Sequence, residues 1–202
     1  LLHASALYHP ALAEPVAAWP SPGKSLDDSM RAAALRGVDA ATANPQSVTA
    51  QLEIAEWYTA LWCYGLADRE DSQSKARAAA ERAAELDMNH AGARTALGVS
   101  LWADWQWTAA RTHLEAAIRL DPRNAKSRQW YALYLAAMKE TTASIIEANE
   151  AVALEPSVGN RVGRSAVHYF ARDFSQMEQD LTPLARAHAK NGIVRDWLGM
   201  AL

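Results

Sequence analysis

The chain has 202 residues, of which 50% are hydrophobic, and a formal net charge of −3 at pH 7. This near-neutral balance excludes a protein dominated by a nucleic-acid-binding surface, which would be strongly basic. The longest apolar run has about 11 residues where a membrane span needs roughly 20, so the sequence predicts no membrane-spanning helix.

The N-terminal residues 1–25 are rich in alanine and proline and predict an irregular segment or a degenerate repeat. Pro20 and Pro22 lack a backbone N–H, so they end any helix that begins within this segment. Ser25 is then placed to cap a helix over residues 26–43.

The rest of the chain predicts helices joined by short turns. Residues 47–66 form one long predicted helix, and Asp68–Asp71 follow it as a charged connector. Pro183 removes one backbone donor and predicts a kink or an early break in its helix. No period-2 alternation predicts a strand, so the expected fold class is all-α. The remaining helices are predicted over residues 73–86, 91–103, 107–120, 125–137, 141–154, 159–171, 175–189 and 192–202.

An internal repeat organises these helices. The segment Ala116–Pro122 recurs as Glu150–Pro156, with the two prolines 34 positions apart. A fixed period of 34 is typical of helix–turn–helix solenoids, in which each repeat buries its apolar face against its neighbours. We therefore expect residues 1–25 as a separate segment and residues 26–202 as one repeat array. The repeats are expected near residues 46–90, 91–124, 125–158 and 159–191, with a partial repeat over 192–202.

Small and apolar residues recur at fixed positions of two of these repeats. They are Leu97-Gly98, Leu101, Ala110, Leu114, Ala117 and Pro122 in the first, and Tyr131-Ala132, Leu135, Ser144, Ala148, Ala151 and Pro156 in the second. This pattern resembles the tetratricopeptide repeat (TPR) family. The resemblance implies a right-handed α-solenoid of stacked antiparallel helix pairs.

Two further segments narrow the resemblance. The D-W-x-W turn at residues 104–107 and the W-Y-A-L-Y-L-A helix at residues 130–136 resemble a bacterial subgroup of the TPR family. In that subgroup they belong to the C-terminal region of winged-helix transcriptional regulators and of some adenylate cyclases and kinases. The resemblance implies a regulatory or signalling setting, although no winged-helix, cyclase or kinase signature occurs in these residues.

No pattern in the sequence predicts catalysis, a cofactor or a metal site. Residues 18–25 fit a relaxed phosphate loop, but Pro20 and Pro22 remove backbone donors that would cradle a phosphate, so we interpret them as a rigid turn. The six histidines form no metal-ligand pair at helical spacing, and we interpret them as solvated or groove-lining. Cys63, the single cysteine, is interpreted as a small buried apolar residue. We therefore predict a non-enzymatic protein.

The tryptophans around the D-W-x-W turn have a structural interpretation. Trp105 and Trp107 precede a second helix, and we expect Asp104 or Thr108 to cap that helix. The two aromatic side chains are expected to pack between adjacent helix pairs. The alternative is that they contact a ligand.

In the TPR family the first helix of each pair lines a concave groove. Exposed aromatic residues beside Gln or Asn suit a peptide groove, because rigid anchors are combined with amide hydrogen bonds. The resemblance therefore implies a groove for a protein, a peptide or a second copy of the chain. The residues expected to line it are Trp57, Thr95, Val99, Trp102, Lys126, Gln129, Leu133, Asn160, Gly163, Arg164, Val167 and Phe170.

Some TPR domains clamp the C-terminal carboxylate of a peptide with Lys and Asn side chains. The positions of the clamp asparagines are occupied here by Val99, Leu133 and Val167. The resemblance therefore implies no binding to the C-terminal tails of chaperones.

A basic cluster could favour an acidic partner segment. The alternative is a solvated face that balances Glu147, Glu150 and Glu155. The cations of this cluster are Lys126, Arg128, Arg161, Arg164 and Arg172.

The sequence thus predicts a protein–protein interaction module of a bacterial transcription or signalling regulator. The alternatives are a structural or assembly scaffold, and the regulatory region of a cyclase or kinase whose catalytic domain lies outside the chain. Direct contact with nucleic acid is not expected. Because the sequence starts at Leu1 and ends inside a predicted helix at Leu202, we expect a piece of a longer protein. A cytoplasmic location is expected, or a periplasmic one if a membrane span precedes Leu1.

Overall fold

The computed structural model describes residues 31–63 with gaps at 33–34, 37 and 40–41, then residues 66–187 and 192–201. Within these ranges the chain forms nine helices with defined ends and no strand, which confirms the predicted all-α class. The described positions between 31 and 42 are also helical. The proline-rich segment, its phosphate-loop-like residues and the predicted cap Ser25 lie outside the described residues.

The chain divides into two compact units, and each is described by itself. In the described part of the chain, the first unit ends at Pro122 and the second begins at Arg123. The repeat boundaries remain a prediction. Helices of the first unit are α1 (Val48–Cys63), α2 (Arg69–Leu86), α3 (Ala91–Ala103) and α4 (Trp107–Leu120). Helices of the second unit are α5 (Ala125–Ala137), α6 (Thr141–Leu154), α7 (Val158–Phe170), α8 (Phe174–Ala187) and α9 (Gly192–Ala201).

Small residues bring the helices of the first unit close together. In this unit α1 packs on α2, α2 on α3, and α3 on α4. Ala110 and Ala117 of α4 are fully buried, and a methyl group on Gly98 of α3 would lie 2.8 Å from Leu114 Cγ. Side chains of this size allow close helix crossings, and added volume in such a core is destabilising.

The start of α2 differs from the sequence prediction. Asp68 is the N-cap of α2 and accepts the N–H of Asp71 at 2.8 Å, so the expected connector Asp68–Asp71 is the first turn of the helix. Glu70 and Asp71 lie in that turn, where carboxylates are stabilised by the positive end of the helix dipole. The charged residues that were predicted to form a connector therefore belong to the N-terminal end of α2.

The same type of turn joins the two helices in each of three successive helix pairs. Trp105, Lys139 and Arg172 each have positive φ, at 63°, 64° and 59°. The residue after each donates its N–H to the carbonyl five residues earlier, as Gln106 does to Leu101 at 2.9 Å, which is the Schellman ending of a helix. Trp105 and Lys139 are 34 positions apart, but Lys139 and Arg172 are 33 apart. The turn of the third pair therefore comes one residue earlier in the sequence than a strict 34-residue period predicts.

In the second unit α5 packs on α6 and α7, α8 packs on α7, and α9 packs on α8. Helix α8 continues through Pro183 to Ala187, so the predicted early break is wrong. Proline removes one helical hydrogen bond, and the buried residues Met177, Leu181 and Leu184 of α8 supply packing that offsets this loss.

Candidate functional site

The turns between paired helices allow α1 and α3 to be aligned residue by residue. Leu66 donates its N–H to the Leu61 carbonyl at 2.8 Å, and Gln106 donates to the Leu101 carbonyl at 2.9 Å. These two hydrogen bonds are equivalent, so Leu61 corresponds to Leu101. The offset between α1 and α3 is 40 positions rather than 34.

This alignment changes the residues that α1 contributes to the groove face, defined as the helix face that carries Val99 and Trp102 in α3. Thr59 and Trp62 correspond to these two residues and replace Trp57, which the predicted repeat over residues 46–90 had placed there. The predicted repeat over residues 46–90 placed Trp57 at the position of Trp102, an offset of 45 positions, whereas the turn gives an offset of 40. The repeated dipeptides Leu61-Trp62 and Leu101-Trp102 are the sequence signal that could have revealed this offset.

The predicted groove residues of α3 are more enclosed than expected. Thr95 and Val99 are buried, and Trp102 is only 5% exposed. The Thr95 hydroxyl donates to the Ala91 carbonyl of its own helix at 3.0 Å. The expectation of an exposed Trp102 anchor is therefore wrong, because its ring is packed among neighbouring side chains.

A small cavity of about 10 Å³, open to solvent and large enough for about one water molecule, lies among α1, α2 and α3. It combines apolar surface with hydroxyl and amide groups, and the buried Gln73 Nε2 has no hydrogen-bond partner in the described part of the chain. Two of its lining residues, Thr59 and Trp62, belong to the groove face of α1. The lining residues are Thr59, Trp62, Gln73, Ala76, Val99, Ser100 and Ala103.

Charged groups lie beside this cavity rather than in its lining. The Arg69 guanidinium lies 5.4 Å from the centre of the Trp62 ring, and Lys75 Nζ lies 5.3 Å from the Tyr58 ring. Lys75 also pairs with Asp71 at 2.7 Å, and this hydrogen bond raises the pKa of Lys75. The cavity itself is lined by neutral side chains.

Gln129 of α5 has a structural position in the second unit. It is 2% exposed, and its Nε2 donates to the Gly159 carbonyl of α7 at 3.3 Å. Its amide group also lies against Gly163 of α7, where a β-carbon would be 2.9 Å from Gln129 Cδ. The expectation that Gln129 presents an exposed amide is therefore wrong, because the amide joins α5 to α7.

The other groove residues predicted for the second unit are mostly buried as well. Leu133, Asn160 and Val167 are buried, and Lys126 is partly buried. Asn160 donates from Nδ2 to the Glu155 carbonyl at 2.7 Å, next to the end of α6. The 34-residue frame misplaced the α7 residues by one position, since the turn spacing here is 33.

Two cations of the predicted basic cluster are paired. Arg164 forms two bonds to the buried Asp180, from Nε at 2.8 Å and from Nη2 at 2.5 Å. Arg128 pairs with Glu147 at 2.6 Å, and the two side chains are only 16% and 19% exposed, so the charges balance each other without forming a solvated face. These pairs reduce the charge available to an acidic partner.

The buried His168 lies beside Asp173, with Nδ1 at 3.6 Å from Asp173 Oδ2. Burial lowers the pKa of His168, opposed by Asp180 and Asp173 and assisted by Arg164. The interpretation as a solvated histidine is therefore wrong here. Among the residues that the structure describes, no group of three or more His, Cys, Asp or Glu could hold a metal ion.

Three aromatic side chains are exposed at the turns of the helix pairs. Trp105 is 54% exposed and meets Trp107 edge-on at 5.5 Å, so the expected packing between helix pairs is wrong for Trp105. Phe170 and Phe174 are 37% and 42% exposed, and both contact Tyr169 edge-on. The exposure of Phe170 agrees with its prediction.

The capping expected at the D-W-x-W turn also differs. Gln106 is the N-cap of α4 and makes no side-chain cap bond. Asp104 instead ends α3 and pairs with Arg77 of α2.

Cys63 is buried, as predicted. In the described ranges, no helix has the length and apolar composition that crossing a membrane requires.

Solved structures of known proteins resemble this chain. TTC0263, a TPR protein of Thermus thermophilus, is 18% identical with a TM-score of 0.67, covering 86% of this chain and 91% of that one. YrrB, a TPR protein with an unusual peptide-binding site, is 14% identical with a TM-score of 0.51, covering 84% and 83%. MamA from Desulfovibrio magneticus is 16% identical with a TM-score of 0.50, covering 82% and 97%.

No protein-family model and no curated protein matches the sequence. At these low identities the structural likeness establishes the fold alone. The chain has the TPR-type fold of paired helices, which confirms the α-solenoid class predicted from the repeat.

Proposed function

We propose that the chain is a non-enzymatic protein-interaction module that captures a peptide on the groove face of its first compact unit. The observation that carries the proposal is the cavity where Thr59 and Trp62 of α1 meet Val99 of α3 beside the unpartnered amide nitrogen of Gln73. The cavity is too small to enclose a side chain, but the half-buried Trp62 ring at its edge offers an aromatic contact surface on the groove face for a partner. The similarity in fold to YrrB, with its peptide-binding site, supports the same assignment.

A regulatory setting and the lack of catalysis are parts of this proposal. The D-W-x-W turn at residues 104–107 resembles regions of bacterial transcription and signalling regulators, which favours a switchable partner over a permanent one. The neutral lining of the cavity offers no group with the acid–base chemistry that catalysis requires. We propose that any catalytic or DNA-binding activity belongs to other parts of the same pathway or protein.

The proposal is tested by selecting peptides from a random display library on the full chain and measuring their affinity by calorimetry. Trp62→Ala should weaken the selected peptides by about tenfold or more, because a rigid aromatic wall of the site is lost. Trp105→Ala is the matched control, since it removes an exposed tryptophan of the same unit outside the cavity. Failure to enrich any binding peptide would contradict the proposal.

A second candidate function is self-association into a scaffold. The exposed Phe170 and Phe174 of the second unit favour it, because aromatic residues are enriched at protein interfaces. Light scattering should then report a mass above that of the monomer, and Phe170→Ser with Phe174→Ser should return the chain to a monomer. A monomeric mass at all concentrations would contradict this candidate.

A further inference from the structure

We infer that the guanidinium of Arg69, held over the Trp62 ring at the edge of the groove face, recognises an acidic side chain of the captured peptide. This inference rests on the proposed peptide-capture function and adds the chemical class of one recognised residue. It follows from the contact between Arg69 and Trp62, from the way the nearby carboxylates are used and from the place of Trp62 on α1.

Two aromatic residues of α1 each contact a cation of α2. Tyr58 and Trp62 are four positions apart, so they lie on the same side of α1. The guanidinium carbon of Arg69 lies 5.4 Å from the centre of the Trp62 ring, and Lys75 Nζ lies 5.3 Å from the centre of the Tyr58 ring. Both distances are within the roughly 6 Å of a cation–π contact. The rings of α1 therefore hold the two cations at the seam between the helices.

The two cations differ in their carboxylate partners. Lys75 pairs with Asp71 at 2.7 Å, whereas Arg69 has no carboxylate partner among the residues that the structure describes. Asp68 Oδ1 accepts the Asp71 N–H at 2.8 Å as the N-cap of α2. Glu70 is the next residue of the helix after Arg69, and side chains at that spacing do not face each other. The charge of Arg69 is therefore available to a partner.

A carboxylate is the group that suits this cation. The contact with the Trp62 ring uses the charge of the guanidinium, and no residue in the described ranges accepts its N–H groups. The planar guanidinium presents its N–H groups as a fork that matches the two oxygens of a carboxylate. Arg69 is exposed, so a bound carboxylate stays partly hydrated and avoids the desolvation cost of a buried ion pair.

The place of Trp62 brings a captured peptide to this cation. Trp62 belongs to the groove face of α1 and is half-buried, so part of its ring is accessible to a partner. A peptide that contacts this ring lies beside the Arg69 guanidinium, 5.4 Å from the ring centre. An acidic residue of the peptide is attracted there, whereas a basic residue meets a like charge. The site therefore favours acidic over neutral residues and neutral over basic residues.

The test uses the peptides selected on the full chain, in which we expect Asp or Glu at one fixed position. Replacing that residue by the amide of the same shape, Asn or Gln, should weaken binding about fivefold or more in about 50 mM salt. The effect should shrink in about 500 mM salt, because the pair is exposed to solvent. In the Arg69→Gln variant the same peptide replacement should change the affinity less than about twofold. Arg119→Gln, at a 67% exposed arginine of α4 in the same unit, is the control and should retain the full effect.

A charge reversal gives a second, independent measurement. The Arg69→Glu variant should bind a peptide with Lys at the fixed position more tightly than the acidic peptide, which a merely structural role of Arg69 would not produce. This reversal also decides the question if Arg69→Gln loses its helical circular dichroism spectrum.

The outcomes separate this inference from the proposed function. If peptides bind without an acidic residue at any fixed position, or if the acid-to-amide replacement has equal effects on the wild type and Arg69→Gln, the inference is overturned and peptide capture stands. An Arg69→Glu variant that still prefers the acidic peptide also overturns the inference. If no peptide binds, both are overturned.

Discussion

Gln129 lies across Gly163, with its Cδ 2.9 Å from the position that a β-carbon on Gly163 would occupy. The contact joins α5 to α7, and the hydrogen bond from Gln129 Nε2 to the Gly159 carbonyl at 3.3 Å fixes the amide in place. A glycine is required there because the space of a methyl group is already filled. Gln129, which the repeat pattern predicted to contact a partner, therefore stabilises the fold.

Gly163→Ala should therefore destabilise the chain by about 1–3 kcal/mol, since the added methyl group displaces a buried amide from its hydrogen bond. Chemical denaturation measures this free energy of unfolding. Gly199→Ala is the matched control, because nothing lies within 4 Å of its added β-carbon, and it should be neutral or stabilising through better helix propensity. Equal effects of the two substitutions would contradict the contact.

The left-handed turn at Lys139 carries a cost that glycine would avoid. Its φ of 64° is disfavoured for a residue with a β-carbon, and its side chain is exposed. We expect Lys139→Gly to raise stability by about 1 kcal/mol, measured by thermal unfolding. Glu150→Gly, in the exposed middle of α6, should instead lower stability by about 1 kcal/mol. A loss of stability with Lys139→Gly would show that the lysine side chain contributes more than the backbone strain costs.

Trp102→Ala should destabilise the chain by about 3–5 kcal/mol, because the indole is 5% exposed and its removal leaves a cavity. Trp105→Ala, at a 54% exposed position, should stay within about 0.5 kcal/mol. Denaturant titrations of both variants measure the difference. A small loss of stability for Trp102→Ala would show that the Trp102 side chain is accessible on the groove face rather than buried.

Stability should fall in mild acid because His168 is buried. Its pKa is lowered mainly by burial, so below its ordinary value of about 6.5 the unfolded chain binds a proton that the folded chain resists. The stabilisation is complete above about pH 6.5 and is lost as the pH falls toward the lower folded pKa. The groups facing His168 are Asp173, Asp180 and Arg164.

The pH dependence can be assigned with His168→Gln, which should flatten the stability curve below about pH 6.5. His113 also has a pKa lowered by burial and by Arg94, so part of the slope should persist in this variant. His113→Gln separates that contribution. An unchanged curve in His168→Gln would show that the histidine is not buried in its neutral form.

Helix positions could be predicted from the sequence because their signals are local. Asn124 and Ser157 cap α5 and α7 by accepting the N–H groups of Ser127 and Asn160 at 3.0 and 3.2 Å, and the helix-ending proline repeats after 34 residues. The periodicity therefore located most helix ends to within a few residues.

The groove residues could not be predicted as well, because they depend on register. Trp105, Lys139 and Arg172 occupy turn positions that usually hold glycine, so the sequence did not mark where each pair turns. The predicted register was displaced by five positions in α1 and by one in α7. A shift of one residue on a helix moves a side chain from the open face toward the core.

The proposed peptide capture is tested most directly by ¹⁹F NMR of the full chain labelled with 5-fluorotryptophan, during titration with a selected peptide. Trp62→Phe and Trp105→Phe assign the two resonances. We predict a saturable shift of the Trp62 resonance and an unchanged Trp105 resonance, because Trp62 lines the cavity and Trp105 lies outside it. A shift of Trp105 with no change at Trp62 would place the partner on the turns and contradict the proposal.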